Sequence, residues 1–205
     1  MSDDYLAWRG SRIDYTEYYD ILYGLKSLGA TRGDRIYELC AGSGGLIAFL
    51  RSKGYANVSG CDIRSRGIVE YCDLEKGLPE NVEADYFVFQ HCLEHISQES
   101  AKKVLSSAVR RSKGVVGILP GHMVGDPTHV VNHYHLEDVI DLAVSSGAEY
   151  VYVGLDMASY VHPESRDWII ILSHKPFRVR RPLWFIMVWR FMRFILGVMT
   201  RWIHR

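Results

Sequence analysis

The chain lacks several things that would settle its class quickly. No period repeats along its 205 residues, which excludes repeat architectures. Its opening, Met1-Ser2-Asp3-Asp4, holds no basic stretch leading into an apolar one, so no secretory signal is expected. The four cysteines, Cys40, Cys61, Cys72 and Cys92, are nowhere spaced Cys-x-x-Cys; they lie in or beside apolar runs and are expected to be buried, reduced thiols of a cytosolic protein. Acidic residues are missing from 175–205, which carries eight of the 24 Lys and Arg. Residues 1–174 therefore hold sixteen basic against 24 acidic side chains, and the net charge of zero conceals an acidic body and a basic tail.

Ordinary values of 48% hydrophobic and 23% charged residues exclude disordered and low-complexity classes. The length suits one α/β domain with a core that needs no staples. Ile13 to Leu28 carries apolar residues at helical spacing and stops at Gly29. Ile36 to Cys40 reads as a strand, 41–45 as a glycine turn and Leu46 to Lys53 as a helix. Strands follow at Val58 to Asp62, Ile68 to Asp73, Tyr86 to Gln90 and Val115 to Leu119. Ser97 is positioned to cap a helix through Arg111. A loop over 120–134 leads into a helix from Leu136 to Ser146, and Tyr150 to Leu155 and Trp168 to Leu172 read as closing strands. Alternation of this kind predicts a doubly wound, mostly parallel seven-stranded sheet with helices on both faces.

Such sheets bind ligands outside the carboxyl ends of their strands, beside the first one. Glu38-Leu39-Cys40-Ala41-Gly42-Ser43-Gly44 lies there, with two glycines that let backbone approach a ligand and a helix N-terminus just beyond. Position 47 is Ile47, not the third glycine of a dinucleotide fingerprint, and no Gly-Lys-Ser/Thr is present for a phosphate loop. Asp62 ends the second strand, where a carboxylate can accept both hydroxyls of a ribose.

On these residues the chain resembles the class I S-adenosylmethionine-dependent methyltransferases over about residues 30–174, in the small-molecule and glycan group. Glu38 stands for the family's first acid, Cys40 for its first glycine, Gly42 and Gly44 for the others. The resemblance implies that Gly42, Ser43 and Gly44 hold the methionine moiety of S-adenosyl-L-methionine, Asp62 its ribose, and Ile63 and Asp73 its adenine, with Glu38 and Gln90, at the end of the fourth strand, as further cofactor-binding residues. Leu93-Glu94-His95 and Asp126-Pro127-Thr128-His129 look like the family's segments after strands four and five. Only Ile63 to Gly67 separate Asp62 from the third strand, so the usual second helix should be shortened or absent.

His91-Cys92-Leu93-Glu94-His95 also matches His-x-x-Glu-His, the pattern of a zinc hydrolase, which needs a continuous helix; here it follows a strand directly. His122, His129, His133 and His135 cluster at the mouth of the expected site. Imidazole titrates near neutrality, so His129, His133 or His91 is a candidate to take a proton from an acceptor hydroxyl. No metal is expected.

Residues 183–203 mix Leu, Ile, Met, Phe and Trp with arginines. At helical pitch Arg190, Arg193, Arg201 and Arg205 share one face, with Trp184, Trp189, Phe191 and Trp202 outside it. Arginine at a bilayer centre costs about 2.5–3.5 kcal/mol, so an interfacial amphipathic helix is favoured over a span. The whole reads as an N-terminal helical cap (1–30), a methyltransferase domain (31–174) and a membrane-associating tail (175–205). It predicts O-methylation of a small-molecule, glycan or lipid-linked acceptor, peripheral at the cytoplasmic face of a membrane. Residues 178–205 would meet anionic lipid, and no nucleic-acid partner is expected. The alternative is a catalytically inactive methyltransferase-like adaptor.

Overall fold

All four residues of Ile36–Leu39 are buried, as are all six of Gly114–Leu119, a pattern that strands reach only when both faces of their sheet are covered. The computed structural model describes residues 15–65, 67–121, 128–131, 133–156 and 167–179. In chain order these form α1 (Tyr15–Ser27), β1 (Ile36–Leu39), α2 (Gly45–Ser52), β2 (Val58–Asp62), β3 (Glu70–Tyr71) and a 3-10 turn at Leu74–Lys76. There follow β4 (Tyr86–Gln90), a second 3-10 turn at Leu93–His95, α3 (Gln98–Arg110), β5 (Gly114–Leu119), α4 (Leu136–Ser145), β6 (Tyr150–Leu155) and β7 (Trp168–Ser173). The seven strands lie in the order β3-β2-β1-β4-β5-β7-β6. All neighbours are parallel except β7, which runs antiparallel to both β5 and β6.

Successive strand residues face opposite sides, and each side has its own core. Phe87, Phe89, Val115 and Leu172 meet Val104, Leu105 and Ala108 of α3 and Val139 and Leu142 of α4. Tyr86, Val88, Val116 and Ile171 meet Ile21, Leu22 and Leu25 of α1 and Leu46, Ile47 and Leu50 of α2. Two close approaches fix the spacing: Gly117 lies under the Phe89 ring with no room for a β-carbon, and Gly24 leaves α1 free to settle on Val116. Each large core side chain is worth about 1.5–3 kcal/mol of apolar burial.

The expected third strand over Ile68 to Asp73 shrinks to two residues at the sheet edge. Among the described residues, no helix stands between β2 and β3, so Ile63, Ile68 and Tyr71 are left exposed. The helix from Ile13 begins at Tyr15 among the described residues. α1 packs into the core, and Phe177 and Val179 also pack against it. Residues 180–205 lie outside the described residues, so the amphipathic helix and its membrane face do too. Among the described residues, no helix is long and apolar enough to cross a membrane.

The expectation of four reduced thiols is overturned. Cys40 is bonded to Cys92 and Cys61 to Cys72, each pair with Cα atoms 5.5 Å apart. The pairs join neighbouring strand ends, β1 to β4 and β2 to β3, an adjacency created by sheet order and invisible in the spacings of 52 and 11 residues.

Candidate active site

The glycine turn begins where β1 runs out. Cys40, Gly42 and Gly44 all take positive φ, at 54°, 54° and 83°. Only glycine adopts this region without cost, so Cys40 holds a conformation about 1–2 kcal/mol uphill. The Gly44 N–H donates to Ala41 O at 2.8 Å and closes the turn. Gly44, in the left-handed region, is the N-cap of α2, whose first amides face the carboxyl edge of the sheet. Gly42 and Ser43 are exposed on the outside of this bend.

Asp62 reaches across from β2. Its Oδ2 accepts the Gly42 N–H at 3.0 Å and its Oδ1 the Arg64 N–H at 2.8 Å. Glu38, 4% exposed, lies behind the turn; burial, helped by the Asp62 charge, pushes its carboxyl up to about 8, against the Ile47 N–H that favours the anion. Ile63 is 64% exposed, on the side that the missing helix leaves open. Asp73 caps the first 3-10 turn, accepting the Glu75 N–H at 3.2 Å, and pairs with Lys76 at 3.0 Å. The segment expected to flank the adenine therefore has carboxylates at both ends, with Asp62 and Asp73 each held by backbone.

At the end of β4 the chain turns abruptly, with His91 at φ 49°. Gln90 donates its side-chain amide to Glu17 of α1. His91 is ringed by acids: Nε2 lies 3.3 Å from Glu17 and 3.7 Å from Asp167, and Nδ1 lies 3.5 Å from Glu94. Burial opposes a charge on this ring, but Glu17 and Glu94 outweigh it and raise its pKa well above the ordinary value. Held as an imidazolium, His91 is a donor in this arrangement. Asp167 is pushed up to about 6 by burial, against the pull of His91.

His-x-x-Glu-His forms no continuous helix: His91 precedes it, and Leu93–His95 is one 3-10 turn. The two histidines diverge, His91 toward Glu17 and His95 toward His129, with ring centroids of the latter pair 4.6 Å apart. Val130 and Val131 both donate to the Glu94 carbonyl, at 2.8 and 3.0 Å, which fastens the segment after β5 to the segment after β4. His133 and His135 form a separate exposed pair, Nε2 to Nε2 at 3.1 Å. His122 and Asp126 lie outside the described residues. Of the histidines expected as one cluster, His129 thus packs against His95 while His133 pairs with His135.

Glu17 and Asp167 went unread in the sequence. One lies in the first helix and the other just before the last strand, and no local motif marks either.

A glycine turn after the first strand, a carboxylate closing the second and the order 3-2-1-4-5-7-6 with only the last-built strand reversed together decide the architecture. The chain has the class I methyltransferase fold. The methyltransferase domain of bacterial CtHen1 superimposes with a TM-score of 0.60 over 79% of this chain and 100% of that one, at 12% identity. Magnesium protoporphyrin IX methyltransferase (ChlM) from Synechocystis PCC 6803, solved with bound SAH, gives 0.58 over 80% and 85%, at 15% identity. CalO1, a methyltransferase of calicheamicin biosynthesis in its SAH-bound form, gives 0.53 over 83% and 57%, also at 15%. Compared by sequence, the chain matches no family profile and no curated protein.

Proposed function

We propose that the chain is an S-adenosylmethionine-dependent methyltransferase that O-methylates a small-molecule, glycan or lipid-linked acceptor. The observation that carries this reading is the Gly42–Gly44 turn braced by Asp62 at the switch point of a methyltransferase fold. The turn and the α2 amides would take the methionine moiety and Asp62 the ribose. The adenine would lie on the open side by Ile63. Glu38 would support the turn from beneath, and Gln90, tied to Glu17, would close the acceptor side.

The reaction is a direct displacement. S-adenosylmethionine, when bound, would supply its methyl group to the acceptor oxygen, the electron pair of the broken carbon–sulfur bond staying on sulfur and S-adenosylhomocysteine being the leaving product. The acceptor proton would go to a base, for which His129 and His133 are the candidates; the enzyme's main contribution would be alignment. His91, already protonated, would instead hold an acceptor oxygen by donating to it.

The proposed address is a membrane surface, through the basic aromatic tail. The argument for a cytosolic location began from unpaired cysteines, and the pairs Cys40–Cys92 and Cys61–Cys72 remove it. A second reading, an adaptor that keeps the fold without turnover, is favoured by one observation: Cys40 replaces a glycine in the turn and is covalently tied to Cys92.

Calorimetry with S-adenosylmethionine on the full chain, followed by transfer of labelled methyl to membrane extracts, tests both readings. Saturable binding with transfer supports the enzyme. Binding without transfer to any extract selects the adaptor, and absence of binding overturns the assignment.

A further inference from the structure

Glu94 is 0% exposed, and neither of its carboxylate oxygens has a hydrogen-bond partner among the described residues. Among the described residues its ion-pair partner is the His91 ring, 3.5 Å from Oε1. A buried carboxylate left this short of partners is costly unless something compensates its charge. Among the described residues the hydroxyl of Tyr134, 1% exposed, has no hydrogen-bond partner either. Unsatisfied buried polar atoms of this kind call for a partner such as a water, an ion or a ligand.

Two imidazoles complete the group. One ligand atom from each of Glu94, His95 and His129 lies within 4.8 Å of the others. In a tetrahedral zinc site, with bonds of about 2.0–2.2 Å, ligand atoms stand about 3.4 Å apart, so side-chain adjustments of about an ångström suffice. His95 is already oriented: its Nδ1 lies 3.2 Å from the Thr128 carbonyl oxygen and 3.3 Å from the Thr128 hydroxyl. Donation from Nδ1 to that carbonyl leaves Nε2 with its lone pair, the arrangement that outer hydrogen bonds impose on metal-bound histidines. The backbone bonds from Val130 and Val131 to Glu94 hold His129 on the same side.

We infer that Glu94, His95 and His129 form a binding site for a divalent transition-metal ion, at the carboxyl edge of the sheet between the segments that follow β4 and β5. Two nitrogens and one carboxylate oxygen suit zinc or manganese over magnesium or calcium, and three protein ligands leave the ion an open position. The neighbouring Glu17, His91 and Asp167 are the competing group. There a single imidazole stands among carboxylates, with acids at both of its nitrogens, which is the poorer donor set for zinc. The ion would bind whether or not a methyl group is transferred; with His129 on the ion, the acceptor proton of the proposed reaction falls to His133.

The test uses the full chain, stripped with chelator and titrated with zinc against a chromophoric competitor, then with manganese. One zinc per chain with a dissociation constant below about 10 μM is expected. His129→Ala and Glu94→Gln should each weaken it at least tenfold. Circular dichroism reports whether each variant is folded; should the buried Glu94→Gln change unfold the chain, His129→Ala at a half-buried position carries the test. His133→Ala/His135→Ala should bind zinc as the natural chain does. Absence of saturable zinc binding, unchanged binding by His129→Ala, or loss of binding in His133→Ala/His135→Ala overturns the site. Calorimetry with S-adenosylmethionine on the same stripped protein reads the methyltransferase proposal separately.

Discussion

Asp62 Oδ2 accepts the Gly42 N–H at 3.0 Å, so the side chain that ends β2 sets the bend that follows β1 before any ligand arrives. Asp62→Ala removes this brace together with the acceptor proposed for the ribose. S-adenosylmethionine binding is expected to weaken tenfold or more, about 1.5–3 kcal/mol for a charged hydrogen-bonding group. Asp62→Asn keeps an oxygen for Gly42 without the charge and should fall between. Calorimetry decides, and equal affinity in Asp62→Ala and the natural chain would remove Asp62 from the site.

Gly117→Ala places a methyl group inside the Phe89 ring at the centre of the sheet, where both residues are buried. Overpacking of this kind costs about 1–3 kcal/mol. The urea midpoint should drop with an unchanged slope, and Phe89→Leu in the same chain should recover part of the loss as a coupling between neighbours. An unshifted midpoint for Gly117→Ala would show that the ring moves aside freely.

The Glu38 carboxyl, up at about 8 from an ordinary 4.5, keeps a proton in the folded chain that the unfolded chain has released. Stability therefore falls as pH rises between those values, by up to about 1.4 kcal/mol for each pH unit. Glu38→Gln cannot release a proton and loses this contribution, so its stability relative to the natural chain should improve steadily from pH 5 to pH 8 in urea titrations. Asp167 and His91, both raised, contribute slopes of the same sign to both proteins and cancel in the comparison. A constant difference across that range would mean that Glu38 is ionised in the folded state.

With both cysteine pairs closed, the denatured chain should offer no thiol to a thiol reagent until it is reduced. Replacing Cys61 and Cys72 together by alanine should cost about 2–4 kcal/mol, chiefly through the unfolded chain, and should lower the melting temperature accordingly. Four thiols titrating without reductant would reinstate the expectation of free cysteines.

The tail is tested by vesicle flotation. The full chain should float with anionic vesicles at low salt and less so at high salt, while deletion of residues 180–205 should leave a soluble domain that still binds S-adenosylmethionine. Equal flotation of the two proteins would assign the tail to a protein partner.

Legibility in the sequence followed how local each determinant is. Tyr150–Leu155 and the Ser97 cap of α3 are read directly, because a run of β-branched and aromatic residues and a capping hydroxyl act within a few residues. The Ser97 hydroxyl accepts the Ser100 N–H at 3.3 Å, as the spacing requires. The glycine turn and Asp62 are legible for the same reason, each sitting at a strand end. β3 is not: Ile68 to Asp73 has strand-like composition, but with no helix above it only two residues find pairing partners. The cysteine pairs and the ring of acids around His91 depend on which strands become neighbours, and no window along the chain holds that information. His95 and His129, 34 positions apart, meet for the same reason.

The reversal of β7 also sets a timetable for synthesis. Because β7 runs against β5, its first residues arrive at the edge where β1 and β4 end, and Asp167 takes its place 3.7 Å from His91. Glu17 precedes Asp167 by 150 residues, so it is synthesised long before its counterpart. A nascent chain halted before residue 167 can pair β1, β2, β4 and β5, yet its His91 lacks one of its three counter-charges and β5 has an open edge. The buried charge centre is thus finished only by the closing strand, and the chemistry proposed for this edge waits on the arrival of the final hairpin.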